Sequence, residues 1–131
     1  MKIAVASNIV IDFIHDVKGR ISRNLGGPAC YCGLTARQFG FEVRLATKVG
    51  TDFCVYHKEF LHDHGIALKG DQITEYPTTK FKVLVNEDDS RDLFLLSKCI
   101  PLTEDDIEEI DTDSWLVTPV IDEVPVNVLK Q

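Results

Sequence analysis

The chain has 131 residues, 44% of them apolar and 27% charged, and a formal net charge of −7 at pH 7. These values are typical of one soluble globular domain, and the negative charge argues against general nucleic-acid binding, which needs a basic surface. No apolar run reaches the roughly 18 residues that cross a membrane, and the first residues lack the pattern of a signal peptide. We therefore expect a cytoplasmic protein without a nucleic-acid or membrane partner.

The first half of the chain alternates between strand and helix patterns. β-Branched and apolar runs predict strands over 2–5, 9–14 and 41–47, with a small polar hairpin over 16–24. Helices are predicted over 28–39 and 53–64, the second with Thr51 or Asp52 as its N-cap.

The second half continues the alternation. Short strands are predicted over 66–68 and 114–120, and two longer strands over 78–85 and 92–96 flank a polar turn. Helices are predicted over 104–110 and 122–130, and Thr103 with Asp106 resembles a capping box at the first of them. This order favours an α/β fold with a mainly parallel sheet, with the hairpins outside it. A parallel sheet that ends here has few strands and an open edge, so we expect an incomplete fold.

Neither the cysteines nor the histidines show metal-ligand spacing. The four cysteines include no C-x-x-C pair, and the histidines at 57, 62 and 64 lack the i, i+4 spacing of a helical zinc site. We predict reduced, mostly buried thiols and no metal site.

The segment that begins Gly26-Gly27-Pro28 predicts a helix start that lies against a ligand. Paired glycines let another molecule approach the backbone, and proline suits the first helical turn. The free N–H groups of a helix start favour oxygen-rich ligands. Asp12 lies near the end of an apolar run, where open α/β sheets bind ligands, although it could be a simple polar strand end. Tyr31 is equally consistent with a pocket wall and with packing.

Together these residues resemble the ribokinase/PfkB-type carbohydrate kinases. The resemblance runs along nearly the whole chain, and its segments follow one another in the family's order. They are Ser7–Asp12, Gly26–Ala29 with Phe39-Gly40, Val49–Val55, Leu61–Ile66, Pro77–Phe81 and Leu116–Pro125.

The resemblance implies a ribokinase-like three-layer α/β/α fold with a mainly parallel sheet and a small β lid. Residues 1–131 would form its N-terminal part, with lid strands from about 13–24 and 68–97, and the C-terminal half would be absent. It implies ATP-dependent phosphorylation, with Mg²⁺, of a hydroxyl of a sugar, sugar alcohol or nucleoside. Asp12, Gly26, Gly27 and Tyr31 would bind the substrate, and lid strands would pair in a homodimer.

Two features depart from the family pattern. Tyr31 stands where the family often has a substrate-binding Asn, and Val55, or Cys54 if the motif is counted one residue earlier, replaces the last glycine of a "VGxDxxG" motif. The family's catalytic Asp, in a "GAGD" motif, and its ATP site have no counterpart in this sequence, so we expect the catalytic base beyond residue 131. A non-catalytic sugar- or nucleoside-binding module and a dimerising structural fragment are the alternatives.

Overall fold

The structure, a computed structural model, describes residues 1–130. Its elements in chain order are β1 (Lys2–Ala6), β2 (Val10–His15), β3 (Ile21–Gly26), α1 (Pro28–Gln38), β4 (Glu42–Ala46), β5 (Val49–Gly50), α2 (Val55–Asp63), a 3₁₀ turn (Gly70–Gln72), β6 (Ile73–Thr74), β7 (Thr79–Val85), β8 (Arg91–Ser97), α3 (Asp105–Glu108), β9 (Ser114–Val117) and α4 (Val126–Leu129).

The body of the molecule is a parallel sheet with the strand order β4-β1-β9 and helices on both faces. On one face Val5 and Leu45 join a core with α1 and α2. On the other face Ala6 and Ala46 pack in a second core that includes Val128 of α4. Successive side chains of a strand point to opposite faces, so a strand buried on both sides has to be apolar throughout, as β1 is after Lys2. The predicted α/β fold with a mainly parallel sheet and three layers is confirmed.

A second, four-stranded sheet with the order β3-β2-β7-β8 stands beside the body, and we call it the lid sheet. Its two hairpins, β2–β3 and β7–β8, are antiparallel, and β2 pairs with β7 in parallel. Only the buried residues Ser7, Asn8 and Ile9 separate β1 from β2. The central strand of the body therefore runs directly into the lid sheet.

Helix α1 packs closely on the body sheet because its inner side consists of small residues. Ala29, Cys30, Gly33 and Ala36 are buried. A Cβ atom on Gly33 would lie 3.1 Å from Ile66 Cδ1 and 3.3 Å from Leu45 Cδ2, so a larger residue there would push the helix outward.

Several predicted boundaries are wrong. Residues 66–68 form no strand, although Ile66 is buried in the first core. Residues 70–74 instead form the 3₁₀ turn and β6, which pairs with β5 of the body, so the second lid hairpin begins at Thr79. The last strand ends at Val117 rather than at residue 120. The final helix covers only Val126–Leu129, because a tight turn at Asp122, with a left-handed φ of 57°, and Pro125 precede it.

The hairpins are longer and the helices shorter than predicted. The first hairpin extends over 10–26 instead of 16–24, because the apolar run at 9–14 belongs to the lid and not to the body. Helix α2 starts at Val55 with Cys54 as its N-cap, so neither Thr51 nor Asp52 caps it.

Candidate functional site

Asp12 lies in the middle of the lid sheet, at the floor of a cleft between this sheet and the body. It pairs with Asn24 of β3 on one side and with Phe81 of β7 on the other. Its side chain is partly buried, and none of the residues 1–130 donates a hydrogen bond to its carboxylate. Burial raises the pKa of Asp12 above its usual value. A partly buried acceptor without a donor is a group that a hydroxyl-bearing ligand can satisfy.

Gly26 provides the space in which the Asp12 carboxylate lies. A Cβ atom on Gly26 would come within 2.4 Å of Asp12 Oδ2, and within 3.4 Å of the Tyr31 hydroxyl. Both polar groups therefore lie over the same glycine. Any side chain at position 26 would displace the carboxylate.

Gly27 is the N-cap of α1 and has a φ of 87°, a conformation that L side chains rarely adopt. Its Cβ position lies 2.7 Å from the carbonyl oxygen of Asn8 and 3.0 Å from the nitrogen of Val10. The glycine thus lets the start of α1 approach the backbone that joins β1 to β2. This contact brings the helix start into the cleft next to Asp12.

Tyr31 lies on the first turn of α1 and lines the same cleft, with 59% of its surface exposed. Its hydroxyl lies beside Gly26, as described above. The structure therefore brings together all four residues that the sequence proposed, and Tyr31 takes the pocket-wall position.

The cleft has a volume of about 470 Å³, which is in the range of small-molecule sites. Its walls are mainly apolar and come from the lid sheet, the start of α1 and the loop after β9. The lining residues are Val10, Asp12, Gly27, Tyr31, Phe81, Val83, Arg91, Leu93, Val120 and Ile121.

Asp52 joins the body to the lid instead of capping a helix. Its Oδ1 accepts hydrogen bonds from the nitrogen and the hydroxyl of Thr78, at 2.9 and 2.7 Å, and its Oδ2 pairs with the ammonium group of Lys80. Burial alone would raise the pKa of Asp52, but these hydrogen bonds outweigh it and lower the pKa to about 2. The carboxylate thereby fixes the start of β7 to the segment after β5.

Glu123 is a residue of this region that the sequence did not single out. Its side chain is fully buried, and its carboxylate accepts hydrogen bonds from the nitrogens of Val120 and Ile121, both at 2.6 Å, and of Asn8 at 3.2 Å. It therefore fastens the loop that carries two cleft residues to the end of β1. The only available signal was a pair of acidic residues, Asp122 and Glu123, between apolar residues, and acidic residues are exposed in most proteins.

The cysteine thiols are free, and Cys30 and Cys99 are buried. Burial raises the pKa of Cys30 to about 12, so this thiol is protonated at neutral pH. Within the part of the chain that the structure describes, no three side chains of His, Cys, Asp or Glu are arranged to hold a metal ion. No helix among these residues is long and apolar enough to cross a membrane.

No protein-family model matches the sequence, and no curated protein matches it significantly. Solved structures do match its fold. A pyrophosphate-dependent kinase of the ribokinase family, complexed with a pyrophosphate analog and myo-inositol, is 22% identical and superposes with a TM-score of 0.81 over 98% of this chain. Ribokinase from Cryptococcus neoformans var. grubii serotype A, in complex with ADP, is 16% identical with a TM-score of 0.70, also over 98% of this chain.

A nucleoside kinase from Methanocaldococcus jannaschii, an archaeal member of the ribokinase family, is 19% identical with a TM-score of 0.59 over 73% of this chain. The chain spans 44% of the inositol-complexed kinase, 43% of the ribokinase and 37% of the nucleoside kinase. The chain thus has the fold of sugar kinases of the ribokinase family, over rather less than half of their length. The resemblance seen in the sequence is confirmed as a likeness of fold.

Proposed function

We propose that this chain forms the acceptor-binding and lid half of an ATP-dependent kinase that phosphorylates a hydroxyl of a sugar, sugar alcohol or nucleoside. The carboxylate of Asp12 is the observation that carries the proposal. It lies in a cleft between lid and body, over a glycine that leaves room for it, and has no donor among the described residues. A ligand hydroxyl supplies the missing donor.

The residues of the cleft would bind and orient the acceptor. The carboxylate of Asp12 would accept hydrogen bonds from one or two hydroxyls, and the Tyr31 hydroxyl would donate or accept beside it. The lid strands would cover the ligand and exclude water, which otherwise competes for the phosphoryl group.

ATP and Mg²⁺ belong to the proposed reaction, but the described residues do not fit them. Among residues 1–130 no three side chains of His, Cys, Asp or Glu are grouped to hold a metal ion, and Arg91 is the one cationic side chain that lines the cleft. Phosphoryl transfer depends on groups that neutralise the phosphates, so no step of the transfer is assigned to these residues.

Ligand binding to the 131-residue chain tests the proposal. Calorimetric titration with ribose, myo-inositol and adenosine should detect binding of at least one of them. Asp12→Asn and Gly26→Ala, which remove and displace the carboxylate, should weaken that binding at least tenfold. Asp63→Asn, an exposed site on α2, is the matched control and should leave binding unchanged. The proposal fails if none of the three compounds binds, or if the Asp12 and Gly26 variants bind like the control.

Phosphoryl transfer from ATP is measured on the polypeptide as the cell makes it. Transfer to the compound that binds supports the kinase. Binding without transfer from any phosphoryl donor would replace the kinase with the non-catalytic binding module.

We also propose that the lid forms the interface of a homodimer. Edge strand β8 exposes four consecutive apolar residues, Leu93 to Leu96, and such an edge is an open template for strand pairing. Sedimentation of the chain should show a dimer that Leu96→Lys dissociates. Leu129→Lys, an equally exposed leucine on α4, should not dissociate it. A monomer at all concentrations would contradict the proposal.

A further inference from the structure

The inner face of the lid sheet is divided into a polar half and an apolar half. Directly paired residues of neighbouring strands share a face, and Asp12 of β2 pairs with Asn24 of β3, so two polar side chains lie side by side on these strands. On β7 and β8, Phe81 lines the cleft and the directly paired Val83 and Leu93 share its face. A ligand that covers this face meets the Asp12 carboxylate at one end and, apart from Arg91, apolar side chains at the other.

The opposite wall continues the division. Tyr31, whose hydroxyl lies over Gly26, stands at the polar end near Asp12. The loop after β9 contributes the apolar side chains of Val120 and Ile121, which Glu123 holds in place. The two apolar regions together form a slot with aliphatic or aromatic side chains on both sides.

The polar groups of the cleft are too few for a ligand with a hydroxyl on every carbon. Among the described residues that line it, only Asp12, Tyr31 and Arg91 have polar side chains. A polyol that filled the slot would place several hydroxyls against Val83 and Leu93 without partners, and unpaired buried hydroxyls weaken binding. A ligand with a small hydroxylated part and a larger apolar part matches the lining better.

Leu93 and Arg91 indicate the shape of the apolar part. Leu93 is 67% exposed, so its burial by a ligand removes a large apolar surface from water. Arg91 lies two residues away on the same face of β8, opposite Val85, and forms no ion pair with any residue of the described range. A guanidinium group without a carboxylate partner stacks well on a flat, electron-rich ring.

We propose that the cleft is specific for ligands of the nucleoside class. The hydroxylated ring lies at Asp12 and Tyr31, and the planar heterocycle lies in the slot between Leu93 and Ile121, against Arg91. This inference rests on the proposed function, because it takes Asp12 as the group that receives the acceptor hydroxyls.

Binding selectivity of the 131-residue chain tests the inference. Calorimetric titration should give a dissociation constant for adenosine at least tenfold lower than those for ribose and myo-inositol. Leu93→Asn should reduce this preference about tenfold and leave the affinity for ribose unchanged. Phe94→Asn, on the same strand but paired directly with Lys82 and therefore on the opposite face of the lid sheet from Leu93, is the matched control and should bind like the parent chain.

The outcomes separate this inference from the proposed function. If ribose or myo-inositol binds as tightly as adenosine, and Asp12→Asn abolishes that binding, the nucleoside assignment is wrong and the acceptor site remains. If ribose 5-phosphate binds more tightly than adenosine, and Arg91→Met removes the difference, Arg91 recognises an anion and the nucleoside assignment is again wrong. If no compound binds, both proposals fail.

Discussion

The buried carboxylate of Glu123 should be worth a large part of the stability of this chain. Its two oxygens accept three backbone hydrogen bonds, from Val120, Ile121 and Asn8, and the side chain has no exposed surface. Glu123→Ala would leave these three N–H groups unpaired, at a cost of about 1–3 kcal/mol for each buried group. Val120 and Ile121 are only partly buried, so water can satisfy part of this loss. We expect a net destabilisation of about 2–5 kcal/mol, against a total of about 5–15 kcal/mol for a domain of this size.

Glu123→Gln separates the charge and the hydrogen bonding from the volume of the side chain. An amide keeps one oxygen but turns an N–H₂ group toward at least one of the three donors, so we expect a loss of about 1.5–3 kcal/mol. Urea unfolding, followed by far-UV circular dichroism, gives both values, and Glu59→Gln on the exposed surface of α2 is the matched control. If both Glu123 variants unfold within about 1 kcal/mol of the control, the carboxylate does not anchor the loop and our account of this region is wrong.

Three further predictions concern the junction of lid and body. Gly27→Ala should lower the melting temperature more than Gly40→Ala. Both glycines have a positive φ, but only at Gly27 would the new Cβ atom collide with the backbone of Asn8 and Val10. Equal losses in melting temperature would contradict this contact. Asp52 has a pKa of about 2 in the folded chain and of about 3.9 when unfolded, so its contribution is complete above about pH 5 and is lost as the pH falls toward 2. Thermal melts between pH 6 and pH 2.5 should therefore show a shallower acid destabilisation for Asp52→Asn than for the parent chain, and parallel curves would refute it. The pKa of Asp12 is raised in the folded chain, so ionisation of this carboxyl disfavours folding once the pH exceeds its unfolded pKa of about 3.9. At pH 7 Asp12→Asn should therefore melt at a higher temperature than the parent chain, and it should lose ligand binding. A lower melting temperature for this variant would show that the carboxylate has a partner in the folded chain.

The body of the fold was predictable because its signals are local and periodic. Strands β1 and β4 and helix α1 were located within one or two residues, since β-branched runs and a glycine-proline helix start act on the backbone directly. The close approach of other groups to the backbone at Gly26 and Gly27 was also predictable from the glycine pair, because two successive glycines exceed what a helix cap needs.

The partition of strands between the two sheets was not predictable from local signals. The run at 9–14 is mainly apolar and contains β-branched residues, as β1 does, and only its pairing with Thr79–Val85, far along the chain, places it in the lid. The contacts of Asp52 were not predictable from local signals either. A polar residue just before a helix is a good N-cap candidate, but Asp52 bonds Thr78 and Lys80 instead, and these contacts depend on the position of β7. Glu123 could not be identified because its partners are backbone groups, which leave no pattern in the sequence.

Under the proposed function, the position of these contacts would give one chain a firm binding site and a movable cover. On the loop side, the Asn8 nitrogen donates a hydrogen bond to the Glu123 carboxylate, and on the helix side the Asn8 carbonyl oxygen lies against Gly27. The junction between β1 and β2, which leads to Asp12, is therefore held on both sides. The far strand of the lid, β8, has no comparable support, because its residues 91–96 are all exposed. Rigidity is therefore concentrated where the acceptor hydroxyls would be oriented, and freedom lies where the cleft would open and close. Phosphoryl transfer requires that the acceptor hydroxyl is oriented and that water is then excluded. A rigid junction beside Asp12 and a freer outer strand β8 would serve these two requirements.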